Sequence, residues 1–388
     1  MCFLLNNKFS MHKPIHYGAQ SIDESDIEAV KDVLKSNFLT QGPKVEEFEK
    51  ALADYCGVKE AVVFNNGTTA LHAMYMACAD GRTEVLVPAM TFAATANAAI
   101  FAGLKPVFLD CDENGHIILD DSLVNKNTLA VVSMDYAGHP VDFDKISEFA
   151  RRHNIHFFDD SCHGLGGSYN GRKIGGIADM NVFSFHPVKS ITTGEGGAIL
   201  TNDSDWAKYI RKFRQHGMTK EQNKFMNESE GPWYHEMQSL GHNFRLTDIQ
   251  CALGISQLKR IDEFISKRRF IAEKYSKAFE GNSYFDIPNI REVSEPAWHL
   301  YSIRLKENLL RRKKEIFEKM AERSIYLQVH YIPVYLHPYY ASLGYKKGLC
   351  PGAEKFYESE ISLPIYPDLS EEDQDYIMTS LMEILQNL

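Results

Sequence analysis

The stretch FSFHPVKSITTGEGGAIL, residues 183–200, sets one lysine, Lys189, between an apolar run and a glycine-rich turn that leads into a second apolar run. A lysine amine attacks aldehydes only when unprotonated, and a low-dielectric pocket or a neighbouring cation disfavours its charged form. Alone, Lys189 reads far more readily as a surface residue beside a turn. In FFDDSCHGLG, Asp160 stands where another apolar run gives way to small residues. A carboxylate so placed can pair with a protonated ring nitrogen, the partner that pyridoxal phosphate needs to act as an electron sink. It can also cap a helix or form a turn. Asp159 competes for the role, and only strand register separates the two acids.

Two further stretches extend the set. FNNGTTALHAMYMA runs through a Gly-Thr-Thr turn into an amphipathic helix, whose unpaired N–H groups, with the hydroxyls of Thr68 and Thr69, suit a phosphate. Simple N-capping by Thr68 or Thr69 explains the same residues. The spacing is not that of a Walker loop, nor does it supply the G-x-G-x-x-G of a nucleotide-binding dehydrogenase. VPAMTFAATANAAI puts Phe92 just past an apolar run and ahead of an Ala-rich segment, where its ring can lie against a flat cofactor or simply fill a core.

These residues need elements to bring them together. Short apolar runs recur at 60–64, 84–88, 106–110, 129–134, 155–159, 181–185 and 197–200, and helix-like segments separate several of them. Continuous apolar strands alternating with helices predict a mainly parallel sheet covered on both faces. Ligands gather at the carboxyl ends of such strands, where Lys189 and its companions fall. Upstream, residues 21–36 carry a capping-box pattern at Ser25 and Glu28, with Ile27, Val30, Val33 and Leu34 on one face. Downstream, Thr247 and Gln250 open a helix whose apolar spacing continues to about residue 280, long enough to link two domains. The remainder is mixed: an extended 299–305, a charged helix around 308–322, the stretch YLQVHYIPV and a final helix from Ser370. The expected organisation is a disordered extension over 1–12, a large domain over 13–255 and a small α+β domain over 256–388.

The chain has 388 residues, 44% of them hydrophobic, enough for one large core or two domains. Its net charge of −10 argues against a nucleic-acid footprint. Seven scattered cysteines, none spaced as C-x-x-C, read as free thiols in a reducing compartment, with no disulfide framework and no metal site. No apolar run approaches the ~18 residues of a membrane span. MCFLLNNKFSMHKP lacks a basic region and a cleavage site, so it does not read as a signal peptide, and Met11 is an alternative start. A cytoplasmic enzyme is expected.

Taken in order, NNGTTALH, VPAMTFAATANA, DDSCHGLGG, FSFHPVKSITTGEGGA and GHNFRLTDIQCALG resemble the pyridoxal-phosphate-dependent nucleotide-sugar aminotransferases of the DegT/DnrJ/EryC1/StrS family. The resemblance covers nearly the whole chain. It implies the aspartate-aminotransferase-like fold, fold type I: a large α/β/α domain with a mainly parallel seven-stranded sheet, plus a smaller α+β C-terminal domain. It implies that Lys189 bonds to the cofactor aldehyde, Asp160 pairs with the pyridinium and Phe92 stacks on the ring. Thr68, Thr69 and Ser184 would hold the phosphate. His163 would stand near the ring hydroxyl, and Asn243 would reach the phosphate in the other subunit of a homodimer. A deoxygenating branch of the family replaces the lysine by histidine. Here His186 lies three residues earlier and Lys189 remains, which favours transamination, with pyridoxamine phosphate as the aminated form of the cofactor.

Within the family, SMDYAGHPVD, LQVHYIPVY and AEKFYESEISLP are most similar to the branch that aminates the C4 ketone of a UDP-linked 4-keto-6-deoxy-N-acetyl-hexosamine in pseudaminic-acid biosynthesis, with L-glutamate as donor. Branches acting on UDP-4-keto-pentose, dTDP- or GDP-linked ketosugars are the alternatives, as is a non-catalytic member of the same fold. His330 and Tyr331 are candidates to face the sugar, or to pack a strand.

Overall fold

The computed structural model describes residues 13–388, so the expected extension over 1–12 lies outside the described residues. Its centre is a seven-stranded sheet. The strands are β1 (Glu60–Phe64), β2 (Glu84–Pro88), β3 (Lys105–Leu109), β4 (Thr128–Met134), β5 (His156–Asp160), β6 (Met180–Ser184) and β7 (Gly197–Thr201). They lie in the order β1-β7-β6-β5-β4-β2-β3. All are parallel except β7, which runs against both its neighbours.

The strands are buried on both faces, as their unbroken apolar character requires. Val62 and Phe64 point into one core, shared with α3 (Gly67–Ala77) and α4 (Ala94–Phe101). Ala61 and Val63 point into the opposite core, under α2 (Pro43–Cys56) and α5 (Phe143–His153). Register then assembles the site. Met134 pairs with Asp160, which pairs with Val182 two residues before Ser184, and Gly197 pairs with both Ser184 and Phe64. The carboxyl ends of β1, β4, β5 and β6 therefore meet at one edge.

Glycine is required at this edge by space. A Cβ on Gly197 would lie 2.6 Å from the carbonyl carbon of Asn66 and 2.7 Å from the nitrogen of Gly67. A Cβ on Gly67 would meet that of Ser184 at 3.1 Å. The glycines of the Lys189 turn thus let β7 start hard against the first turn of α3.

Three local expectations are corrected. The first helix, α1 (Glu24–Leu34), is capped by Asp23 with Asp26 completing the box, not by Ser25 and Glu28. Its buried residues are Asp26 and Val33, while Ile27 and Leu34 are exposed, because Asp26 is held by the side chains of Gln257 and Arg260. The helix opened by the Thr247–Gln250 box ends at Lys259, and Ile261–Phe279 follows as a separate helix. These are α7 (Asp248–Lys259) and α8 (Ile261–Phe279); α6 is Ser204–Phe213. Arg260 stands between α7 and α8 with non-helical dihedrals, its guanidinium drawn to Asp23 and Asp26. Finally, α3 is capped by Asn66, whose side chain accepts from the N–H of Thr69, so neither threonine is the cap.

The C-terminal half builds a third core around α8, α9 (Lys313–Glu322), the helix Glu371–Gln386 and a three-stranded antiparallel sheet. Its strands β8 (Phe285–Asp286), β9 (Tyr301–Leu305) and β10 (Glu360–Leu363) are ordered β8-β9-β10. Ser370 caps the last helix. Ile15 joins this core, because Ile15–His16 pairs with Ile325–Tyr326. Among the described residues no helix is long and apolar enough to cross a membrane, and no cluster could hold a metal ion.

Candidate active site

A cavity of about 640 Å³ opens at the carboxyl edge of the large sheet. Lys189 lines it, half-buried, on a turn closed by its own N–H to the carbonyl of His186 at 2.9 Å. Burial pushes its amine below the ordinary lysine range. Cys162 and Asp160 oppose that shift, and the Arg268 charge adds to it. The result is an amine with an enlarged neutral fraction.

Asp160 lines the same cavity and is 3% exposed. Its Oδ2 accepts from Thr95 Oγ1 at 2.6 Å and its Oδ1 from the N–H of Cys162 at 3.3 Å. Asp159 alternates to the other face of β5. It is fully buried and takes hydroxyls from Ser133 and Ser161. Register therefore gives the cavity only one of the two adjacent acids.

At the α3 end, Gly67, Thr68 and Ser184 line the cavity. Thr69 does not: its hydroxyl donates to Asn65 Oδ1 at 2.6 Å, so it braces the turn from behind. Phe92 is 59% exposed, unusual for so large an apolar ring, and its face borders the cavity 6.0 Å from the Tyr331 ring. Asn243 is exposed and bridges to Gln215, and it does not line the cavity.

The opposite wall is formed by His163, just past β5, with His299, His330 and Tyr331 from the C-terminal half. His163 Nε2 meets the Tyr331 hydroxyl at 3.0 Å, and its Nδ1 is buried without a partner. His299 lies 4.1 Å away, ring to ring. His330 Nδ1 contacts Ser362 Oγ at 2.8 Å, while the His330 N–H donates to Glu360 Oε2 at 2.8 Å. Burial holds all three imidazoles in their neutral form, His330 down to about 3. The structure thus brings His330 and Tyr331 to the cavity. It adds Tyr17, Cys162 and His299 to the lining, and Thr95 as the donor to Asp160, none of which sequence reasoning singled out. Thr95 had a weak signal as the polar residue in an Ala-rich run; the others had none.

Glu360 anchors this wall, and burial pushes its carboxyl up to about 7 against hydrogen bonds from Ser362, Ser302 and the His330 N–H. A carboxyl that binds its proton more tightly folded than unfolded contributes stability below its unfolded pKa of about 4.3. That contribution is lost as pH rises through about 7. Glu360→Gln, neutral throughout, is expected to gain melting temperature relative to the wild type as pH goes from 5 to 8. A difference that stays flat across that window would remove the buried-acid account.

The groups present fit pyridoxal phosphate. An amine, an acid, an exposed aromatic face, a helix start cleared by glycines and an unpartnered buried imidazole nitrogen converge on one cavity. A profile of the DegT/DnrJ/EryC1/StrS aminotransferase family matches residues 20–382. The chain belongs to that family. Like other members, this aminotransferase uses pyridoxal phosphate, and its similarity to characterised relatives extends end to end. It is 41% identical over 379 residues, 96% of this chain and 98% of the relative, to the UDP-4-amino-4,6-dideoxy-N-acetyl-beta-L-altrosamine transaminase of Campylobacter jejuni. Among solved structures, Helicobacter pylori PseC, an aminotransferase involved in the biosynthesis of pseudoaminic acid, superposes with a TM-score of 0.92 at 37% identity, covering 97% of this chain and 100% of that one. The sugar-aminotransferase candidate Spr1654 of Streptococcus pneumoniae, solved in its PMP-form, superposes at 0.90 with 30% identity, covering 97% and 100%. The aspartate-aminotransferase-like fold expected from the sequence is the fold observed.

Proposed function

We propose that this aminotransferase moves the amino group of L-glutamate to the C4 ketone of a UDP-linked 4-keto-6-deoxy-N-acetyl-hexosamine, working in the cytoplasm as a homodimer. The observation that carries the chemistry is Lys189 and Asp160 lining one cavity at the sheet edge. The altrosamine transaminase and PseC similarities support the sugar, and the free state of the six described cysteines suits a reducing compartment.

Pyridoxal phosphate, when bound, supplies an aldehyde carbon that carries the amino group and a ring that withdraws electrons from it. The chain does the rest. Gly67, Thr68 and Ser184 would hold the phosphate at the start of α3, and Phe92 would offer its face to the ring. Asp160 would keep the proton on the ring nitrogen. Lys189 would anchor the cofactor through its amine and, once freed by the donor, would take the α-proton of glutamate and return it one carbon away. The same amine would move the proton in the opposite sense for the sugar. His330 and Tyr331 face the sugar from the small domain, beside the neutral His163.

Incubation with glutamate is expected to bleach the visible absorbance of the loaded protein and release 2-oxoglutarate. Among UDP-, dTDP- and GDP-linked ketosugars, the UDP-linked hexosamine should restore the colour fastest. Faster restoration by another nucleotide would refute the sugar assignment, and failure to bleach would refute transamination itself. For the dimer, Lys189→Ala and Asn243→Ala proteins mixed through a dissociation cycle should regain activity, since one site of each mixed dimer is intact. No regain would place Asn243 outside the partner's site.

A further inference from the structure

Arg268 of α8 is 1% exposed and heads the largest fully buried side chains of the protein. Among the described residues no carboxylate pairs with it. Its Nη1 donates instead to the carbonyls of Ile365 at 2.9 Å, Trp298 at 3.3 Å and His299 at 3.3 Å, and its Nη2 to that of Val188 at 3.4 Å. Its Nε has no partner. These carbonyls belong to three separate segments: the Lys189 turn, the approach to β9 and the exit from β10. Burying an unpaired charge is strongly unfavourable, so a purely mechanical bolt is better made by a neutral donor. What the guanidinium adds is a full positive charge at the Val188 carbonyl, one residue from Lys189.

We propose that Arg268 is a positioning residue for Lys189: it fastens the lysine turn to the segments before β9 and after β10 and sets a buried, unpaired positive charge behind that turn. The proposal rests on reading Lys189 as the reactive amine. Two groups facing that amine work the other way, the Asp160 carboxylate and the Cys162 thiol. The imidazoles of His163, His299 and His330 are neutral, and burial keeps the phenols of Tyr17 and Tyr331 protonated. Glu195 and His186 border the cavity from the exposed side of the turn. Arg268 is therefore the buried cation that counters Asp160. The acid can then serve the cofactor ring without also holding a proton on the lysine. The guanidinium itself stays charged at neutral pH even though burial lowers it to about 10.

The test uses the full chain without cofactor. Lys189 is labelled with limiting acetic anhydride across a pH series and read by mass spectrometry, normalised to the denatured protein. The wild-type midpoint is expected below the ordinary lysine value of about 10.4. Arg268→Gln and Arg268→Met should each raise it by about one pH unit, roughly tenfold less free amine at neutral pH, while Arg268→Lys stays with the wild type. A midpoint that ignores the charge at position 268, or that moves as far in Arg268→Lys as in Arg268→Met, overturns the proposal. Should neither neutral variant fold, the wild-type midpoint decides, and a value near 10.4 overturns it. Failure of the Lys189 reading shows separately, as wild-type protein that forms no borohydride-stable adduct at Lys189 with pyridoxal phosphate.

Discussion

Lys189→Ala is expected to fold normally and to lose steady turnover by about 10⁴-fold or more. Proton transfer by a positioned side chain alone contributes roughly 10²–10⁴-fold, and here the same amine is also the covalent anchor for the cofactor aldehyde. Removing it takes away both functions. The fold should tolerate the change, because the turn is closed by the backbone bond from residue 189 to His186, not by the side chain. Burial disfavours the charged amine, so alanine also relieves a desolvation cost. Lys189→Arg tests the need for a neutral amine: the guanidinium carries a permanent positive charge and cannot give up its proton at working pH, so it should be as inactive as alanine. Small primary amines added to Lys189→Ala should restore part of the rate by supplying the missing base. Activity within tenfold of the wild type in either variant, without added amine, would show that the reactive group is elsewhere.

Different parts of this arrangement were legible in the sequence for different physical reasons. The strands were readable because a sheet buried on both faces demands uninterrupted apolar runs, and Thr128–Met134 is buried at every position. The sites at their ends followed, since parallel strands deliver their carboxyl ends to one edge. What failed was whatever depends on a polar residue being buried. Periodicity counts apolar residues, so it put Ile27 and Leu34 inside and missed Asp26, whose burial is made tolerable by Gln257 and Arg260. It ran the helix past Arg260 for the same reason: one residue off helical geometry does not disturb a repeat of apolar positions. Arg268 was invisible too, because its partners are backbone carbonyls, which every sequence has. Thr69 looked equivalent to Thr68 until the hydroxyl of one was found turned back onto Asn65.

Strand register also decides the second large effect. Asp160→Asn is expected to lower kcat by roughly 10²–10³-fold, the scale found when a group aimed at developing charge is lost, with little change in the fold. Asparagine matches aspartate in size and can still accept from Thr95, so the local packing survives. It carries no negative charge, however, and leaves the proton on the cofactor ring nitrogen without its counter-ion, weakening the ring's pull on electrons. The adjacent acid supplies the control. Asp159 faces the opposite side of the strand, fully buried among the hydroxyls of Ser133 and Ser161, and burial raises its pKa. Asp159→Asn should therefore alter melting temperature while leaving the kcat of the folded fraction close to wild type. Because one residue of register exchanges the two faces, the pair reads the register directly. If Asp159→Asn lost the catalytic rate and Asp160→Asn kept it, β5 would be paired one residue out, and the cavity would be built on the wrong acid.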